Sequence, residues 1–199
     1  MTNLATVFDR VPKFVLFGAA GLIQMGLIGL MVADRVSILR TGRDVTLQTR
    51  PLDPRDFLRG DYVTLGYDIS SVPAGALKGA PSAGWGTPVF VKIAPNRDGF
   101  HEAISVHGAP VDVASPEVLI RGRVGIGANC GTERRTFCDT LDVSYGIERY
   151  FVPEGEGRKL ESARNQRKLT IVAAVAPTGR VAIKRLMIDG EPVYDEPWF

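Results

Sequence analysis

Gly60-Asp61-Tyr62-Val63-Thr64-Leu65-Gly66-Tyr67 follows a turn-rich run, Pro51-Leu52-Asp53-Pro54-Arg55-Asp56, and carries the pattern that decides the fold class. From Tyr62 onward, Tyr62, Thr64, Gly66 and Asp68 alternate with Val63, Leu65, Tyr67 and Ile69, the two-residue period of a half-buried strand. Gly60-Asp61 reads as the turn that starts the strand. Glycine takes a positive φ without steric cost, and an aspartate side chain accepts a backbone N–H across a tight turn. On this reading Asp61 is a turn residue, and Tyr62 and Tyr67 are packing residues with a wet edge. Their hydroxyls matter only where they are buried and bonded.

The same short period recurs outward from this stretch. Val45–Thr49 reads as a strand before it, and Pro88–Ile93, Phe100–Val106 and Val118–Val124 as strands after it, with Asn96-Arg97-Asp98-Gly99 as a hairpin turn. Ser71–Gly86, rich in Gly, Ala, Ser and Pro, reads as a loop. Leu141–Val152 reads as one dense strand stretch. Arg158–Arg167 is the helix candidate outside the apolar N-terminal segment, and Leu169–Val175 with Val181–Ile188 forms a closing hairpin over Pro177-Thr178-Gly179-Arg180. The 22 glycines and 13 prolines punctuate the chain at intervals that suit short strands joined by turns. The expected fold is mainly β: a barrel- or sandwich-like domain over residues 34–199 with one short helix. Lys and Arg number 24 against 22 Asp and Glu, a formal charge of +2 that gives no field for nucleic acid.

Phe14–Ala33 contains no charged residue, and Gln24 is its one strongly polar side chain. Twenty residues rising about 1.5 Å each reach about 30 Å, the thickness of a bilayer's hydrocarbon core. The expected organisation is a tail over 1–13, a transmembrane helix over 14–33 and an extracytoplasmic domain beyond. A cleaved signal peptide is the competing reading, but the run exceeds a usual apolar signal region and Met31 stands where a small residue is expected. Arg10 and Lys13 precede the span, and Arg35, Arg40, Arg43 and Arg50 follow it. That local count opposes a periplasmic domain, although large domains cross largely regardless of charge. Cys130 and Cys138 favour an oxidising compartment. Bridged, they close a loop of nine residues for about 2.5 kcal/mol, whereas two free thiols remain the alternative because spacing alone does not set the Cβ geometry.

Gly60, Asp61, Tyr62, Leu65 and Tyr67 stand at the spacing Gly-Asp-Tyr, two residues, Leu, one residue, Tyr. Further on, Tyr145, Gly146, Tyr150, Pro153, Glu154 and Gly155 form a Tyr-Gly step, an aromatic strand and a Pro-Glu-Gly turn. In both stretches the chain resembles the GDYXXLXY family of membrane-anchored bacterial proteins, a family with no firmly attached activity. The resemblance implies an inner-membrane protein with its C-terminal domain in the periplasm. Its members' frequent genetic neighbours imply a multi-pass membrane partner. The expected function is therefore that of an accessory or interaction protein of the envelope rather than an enzyme.

The chemical alternatives are weaker. Pro54–Val63, placed after an apolar anchor, is also similar to the Pro-Thr-Leu and Gly-Asp-hydrophobic region of type I signal peptidases. Those enzymes need a serine shortly before the proline and a lysine to deprotonate it. Pro51-Leu52-Asp53 stands there instead, and no serine lies between Ser37 and Ser70, so Lys92 as base has no nucleophile. An envelope hydrolase using carboxylates near Asp61, with Glu148, Glu154 and Glu156 as candidates, is the alternative function; Asp61 and Glu148 in one pocket would favour it, and Asp61 bonded within its own turn would oppose it. His101 and His107 lack acidic or cysteine partners at ligand spacing, so no metal site is expected. No phosphate loop or redox Cys-x-x-Cys occurs, and no cofactor is expected. Gly29 and Ala33 form one small-xxx-small step, and Gln24 gains from a partner helix in the bilayer.

Overall fold

The computed structural model describes residues 12–52, 62–73, 84–125, 140–153 and 155–197. The chain divides into two compact units between Ser37 and Ile38. In the first, Lys13 begins α1 (Lys13–Thr41), a helix long and apolar enough to cross a membrane and the only such helix among the described residues. Its side chains from Phe14 through Val32 are almost all exposed. Asp34-Arg35, expected as its flank, do not end it. Helical backbone continues to Thr41 because Arg35, Leu39 and Arg40 are good helix formers, and because Ile38 and Leu39, which already belong to the second unit, are buried there with Ala174 and Ala182. The stop comes at Gly42, whose N–H donates to the Ile38 carbonyl at 2.8 Å. A side chain at Gly42 would collide with that same carbonyl.

The second unit is built from short antiparallel strands, a consequence of period-2 apolar runs cut by Gly, Pro and Asn turns. They are β1 (Arg43–Arg50), β2 (Tyr62–Thr64), β3 (Gly66–Tyr67), β4 (Ser71–Pro73), β5 (Pro88–Pro95), β6 (His101–His107), β7 (Val118–Val124), β8 (Thr140–Ser144), β9 (Arg149–Phe151), β10 (Leu169–Val175), β11 (Val181–Ile188) and β12 (Glu191–Asp195), with α2 (Gly157–Asn165) before the last three. One five-stranded sheet has the order β12-β11-β10-β1-β3, the other β4-β8-β7-β5-β6, and β2 pairs with β9 in a separate ribbon. The sheets curl into a nearly closed barrel around one core that includes Val45, Leu47, Val91, Ile120, Ile171 and Leu186. At the β10–β11 turn, the Arg121 N–H of β7 donates to the Gly179 carbonyl at 2.7 Å, which ties the first sheet to the second.

The expected alternation after Tyr62 is present: Val63, Leu65, Tyr67 and Ile69 are all buried. Three expectations are corrected. The stretch from Tyr62 to Ile69 is not one strand but two, β2 and β3, followed by a 3-10 turn over Asp68–Ser70. Ser71–Pro73, expected as the start of a loop, is β4 and pairs with β8. Leu141–Val152 is cut by a turn at Tyr145–Glu148, where Gly146 takes φ +82°, a conformation that glycine adopts without strain.

Candidate functional site

The segment Tyr62–Pro73 gives one strand to each of the three sheets. Tyr62, Val63 and Thr64 pair with Phe151, Tyr150 and Arg149, and the Leu65 N–H extends that ladder to the Glu148 carbonyl at 2.7 Å. Immediately afterwards the partner changes. Gly66 and Tyr67 pair with Arg50 and Thr49 of β1, and a Cβ at Gly66 would press to 3.0–3.1 Å on Leu52 and Arg50 side chains. The change of partner forms a corner, and Tyr62, Leu65 and Tyr67 of the first signature occupy it.

The second signature lies across that corner and the two brace each other. The Tyr67 hydroxyl donates to the Ile147 carbonyl at 2.5 Å, and the Tyr145 hydroxyl donates to the Ile69 carbonyl at 2.7 Å. Each tyrosine thus satisfies a backbone acceptor in the other's segment. Burial, and secondarily the charge of Glu148, raises both phenol pKa values well above the usual range, so both stay neutral donors. Glu148 takes the Tyr145 N–H on one carboxylate oxygen and the Gly146 N–H on the other, at 2.9 Å, and so caps its own turn. Space for the Tyr145 ring comes from Gly122 of β7, where a Cβ would lie 3.2 Å from the ring and 2.4 Å from Val143.

Two further contacts frame the corner. Arg164 of α2 is almost wholly buried, 2% exposed, yet holds its guanidinium on uncharged oxygens. It donates to the Thr64 carbonyl at 2.5 Å, to the Asn165 amide oxygen at 3.0–3.1 Å and more weakly to the Leu52 carbonyl at 3.4 Å. Outside the corner, Tyr62 leans on the exposed Phe151 ring at 6.0 Å between centroids, with Arg149 5.8 Å from the Tyr62 ring centre. Tyr150 donates to Glu196, whose charge adds to burial in raising the phenol pKa.

Beside the corner the barrel does not close. β3 is only two residues long, so β1 loses a strand partner beyond Thr49. There the Thr46 N–H donates to Nδ1 of His101 at 3.2 Å, a ring nitrogen standing in for a missing strand. That bond puts the neutral ring's hydrogen on Nε2. Burial, with a smaller push from the charge of Arg43, lowers the His101 pKa against an opposing contribution from the Thr46 backbone. Along this gap lies a cavity of about 290 Å³ lined by Gln48, Asp68, Ser71, Pro73, Asn96, Phe100, His101, Glu102 and Ala103. Asn96 also builds the β5–β6 turn. Its side-chain oxygen accepts from the Asp98 and Phe100 N–H groups, and its amide donates to Glu102 at 2.7 Å.

Among the sequence-expected residues, the structure brings Tyr67 and Leu65 together with Tyr145, Gly146 and Glu148. Tyr62 and Tyr150 sit on the adjoining β2–β9 ribbon, followed by Pro153 and Gly155. Gly60, Asp61, Glu154, Cys130 and Cys138 lie outside the described residues. Lys92 is paired with Glu117 at 3.1 Å, and His107 with the Ser105 hydroxyl at 2.8 Å. The cavity residues were not singled out from sequence, apart from His101; Asp68, one residue beyond the signature, was visible as the polar end of the alternating run. Among the described residues no cluster of three or more His, Cys, Asp or Glu side chains is arranged to hold a metal.

A family model described as GDYXXLXY protein matches residues 24–186, most of the chain. No curated protein and no solved structure matches.

Proposed function

Since this chain belongs to the GDYXXLXY protein family, we propose that it is an accessory or interaction protein of the bacterial envelope, anchored by α1 in the inner membrane. Its barrel domain stands on the periplasmic side, and its partner is a multi-pass membrane protein that α1 meets within the bilayer. The observation that carries this reading is the set of glycines in α1. A Cβ built at Gly18, Gly21, Gly26 or Gly29 would meet no atom within 4 Å. Each glycine in a helix costs about 1 kcal/mol relative to alanine, and in membranes small residues recur where a second helix approaches closely. At about 100° per residue, Gly18, Gly26, Gly29 and Ala33 share a sector of about 80° with Leu22 at its centre. Gln24 lies on the other side of the helix, so it and Gly29 cannot serve one contact.

The hydrolase reading has less support, since Glu148 accepts one backbone N–H of its own turn on each carboxylate oxygen, the geometry of a capping residue. A periplasmic location also agrees with a Cys130–Cys138 bridge, which thiol labelling of non-reduced, denatured protein checks: two free thiols contradict it.

The partner is tested by a photo-crosslinking residue placed at Leu22 or, on the opposite face, at Met31, in the full chain in native membranes. The expected result is one discrete adduct with a multi-pass protein from Leu22 and little from Met31. Equal lipid-only labelling from both positions, or an adduct of twice the chain's own mass, contradicts it.

A further inference from the structure

The cavity along the open seam of the barrel belongs neither to the anchor nor to the tyrosine brace. Three of its properties define what it can hold. Its charge is negative: Asp68 and Glu102 are the ionised side chains among the nine lining residues, and no lysine or arginine is among them. Arg43, whose charge acts on His101, is engaged with the Glu117 carbonyl at 3.1 Å and the Ser115 hydroxyl at 2.9 Å. The lining also offers neutral hydrogen-bonding groups, namely the His101 Nε2–H, the Ser71 hydroxyl and the amide oxygen of Gln48, whose amide nitrogen is fixed to the Arg167 carbonyl at 3.0 Å. Finally, Phe100, Ala103 and Pro73 supply an apolar wall.

A volume of about 290 Å³ lies at the small end of the range for small-molecule sites, which suits a ligand of about monosaccharide size. Small-molecule sites combine apolar wall with a few convergent polar groups in this way. Two carboxylates select a cation. A neutral imidazole N–H, a hydroxyl and an amide oxygen select neighbouring hydroxyls on the same molecule.

We propose that the seam cavity, formed by Asp68, Glu102, His101, Gln48, Ser71 and Phe100, binds a small polyhydroxylated primary amine of monosaccharide size. The ammonium sits between Asp68 and Glu102, the hydroxyls meet Gln48, Ser71 and the His101 N–H, and one face of the molecule lies on Phe100. The site rests on the barrel geometry alone and stands whether or not α1 has a helix partner.

Glucosamine is the probe, titrated into the full chain in neutral detergent at pH 7 and followed by calorimetry, with glucose as the uncharged counterpart. A ligand of twelve non-hydrogen atoms at ordinary efficiency gives a Kd of about 1 mM. Saturable binding of glucosamine near that value, with glucose at least tenfold weaker, is expected. Asp68→Asn should weaken glucosamine about tenfold and Glu102→Gln several-fold, each at an unchanged melting temperature. Lowering the pH until His101 is protonated should weaken it too, because a cation then faces a cation. Equal binding of glucose and glucosamine, no effect of Asp68→Asn, or binding of phosphoethanolamine in preference to glucosamine overturns the proposal. So does the absence of saturable binding by all three probes.

Discussion

Tyr67 and Asp68 are adjacent in the chain, yet Tyr67 is wholly enclosed and Asp68 is exposed at the rim of a cavity. The tyrosine spends its only donor on the Ile147 carbonyl. In contrast, the aspartate carbonyl closes the 3-10 turn by accepting the Ser71 N–H, while its carboxylate has no hydrogen bond or ion pair among the described residues and lies beside a histidine that patches the backbone of β1. The contrast separates groups that hold the fold from groups left open to solvent. The side chains that define the signature build a corner where the sheets exchange partners, and the groups still able to meet a ligand start one residue later, where the barrel stays open.

Substitutions that strike the brace should cost the most. Gly122→Ala places a methyl group 2.4 Å from Val143 and 3.0 Å from the Ser144 carbonyl, beside the Tyr145 ring. Overpacking against a stiff β-branched side chain and backbone should cost about 2–3 kcal/mol, read as a lower urea midpoint. No loss would mean that β7 and β8 yield freely there.

The two regions should also fail at opposite ends of the pH scale. Tyr67 and Tyr145 have folded-state pKa values above the usual 10, so the unfolded chain loses protons first. Stability is fully present below pH 10 and falls above it, by about 1.4 kcal/mol per pH unit for each tyrosine. His101 behaves in the opposite sense. Its folded pKa lies below 6.5, so the unfolded state binds the proton first, and stability falls as pH drops below 6.5 towards the folded value. Equilibrium unfolding across pH should show both limbs. Replacing Tyr67 by Phe should remove its share of the alkaline slope and leave that of Tyr145, and His101→Gln should remove the histidine's share of the acid one.

Glu148→Gln should cost about 1–2 kcal/mol, since one of two backbone N–H groups at the Tyr145–Gly146 turn loses its acceptor. Asp68→Asn should change stability by less than about 0.5 kcal/mol, the usual result for an exposed side chain away from caps and networks. Equal losses from these two would erase the distinction drawn between brace and cavity.

Much of the framework was legible before the structure. The alternation of Val63, Leu65, Tyr67 and Ile69 marked the buried face, Val118–Val124 matched β7, and Asn96–Gly99 matched the β5–β6 turn because Asn and Gly carry their turn chemistry locally. The break after Leu65 was not legible, because it reflects a change of pairing partner from β9 to β1, which the local run does not encode. Similarly, the turn inside Leu141–Val152 left only Gly146 and, three residues after Tyr145, a glutamate able to accept that residue's N–H. The cavity left less still. Gln48, Asp68 and His101 are far apart in sequence and meet only because β3 is too short to cover β1.

The most direct measurement is urea unfolding of the full chain in neutral detergent for Tyr67→Phe, Tyr145→Phe and Asp68→Asn side by side. Each phenylalanine should lower stability by about 1–2 kcal/mol, leaving a buried carbonyl of Ile147 or Ile69 without its donor, while Asp68→Asn should unfold like the parent. Parent-like unfolding of both phenylalanine variants, with loss of stability in Asp68→Asn, would contradict it.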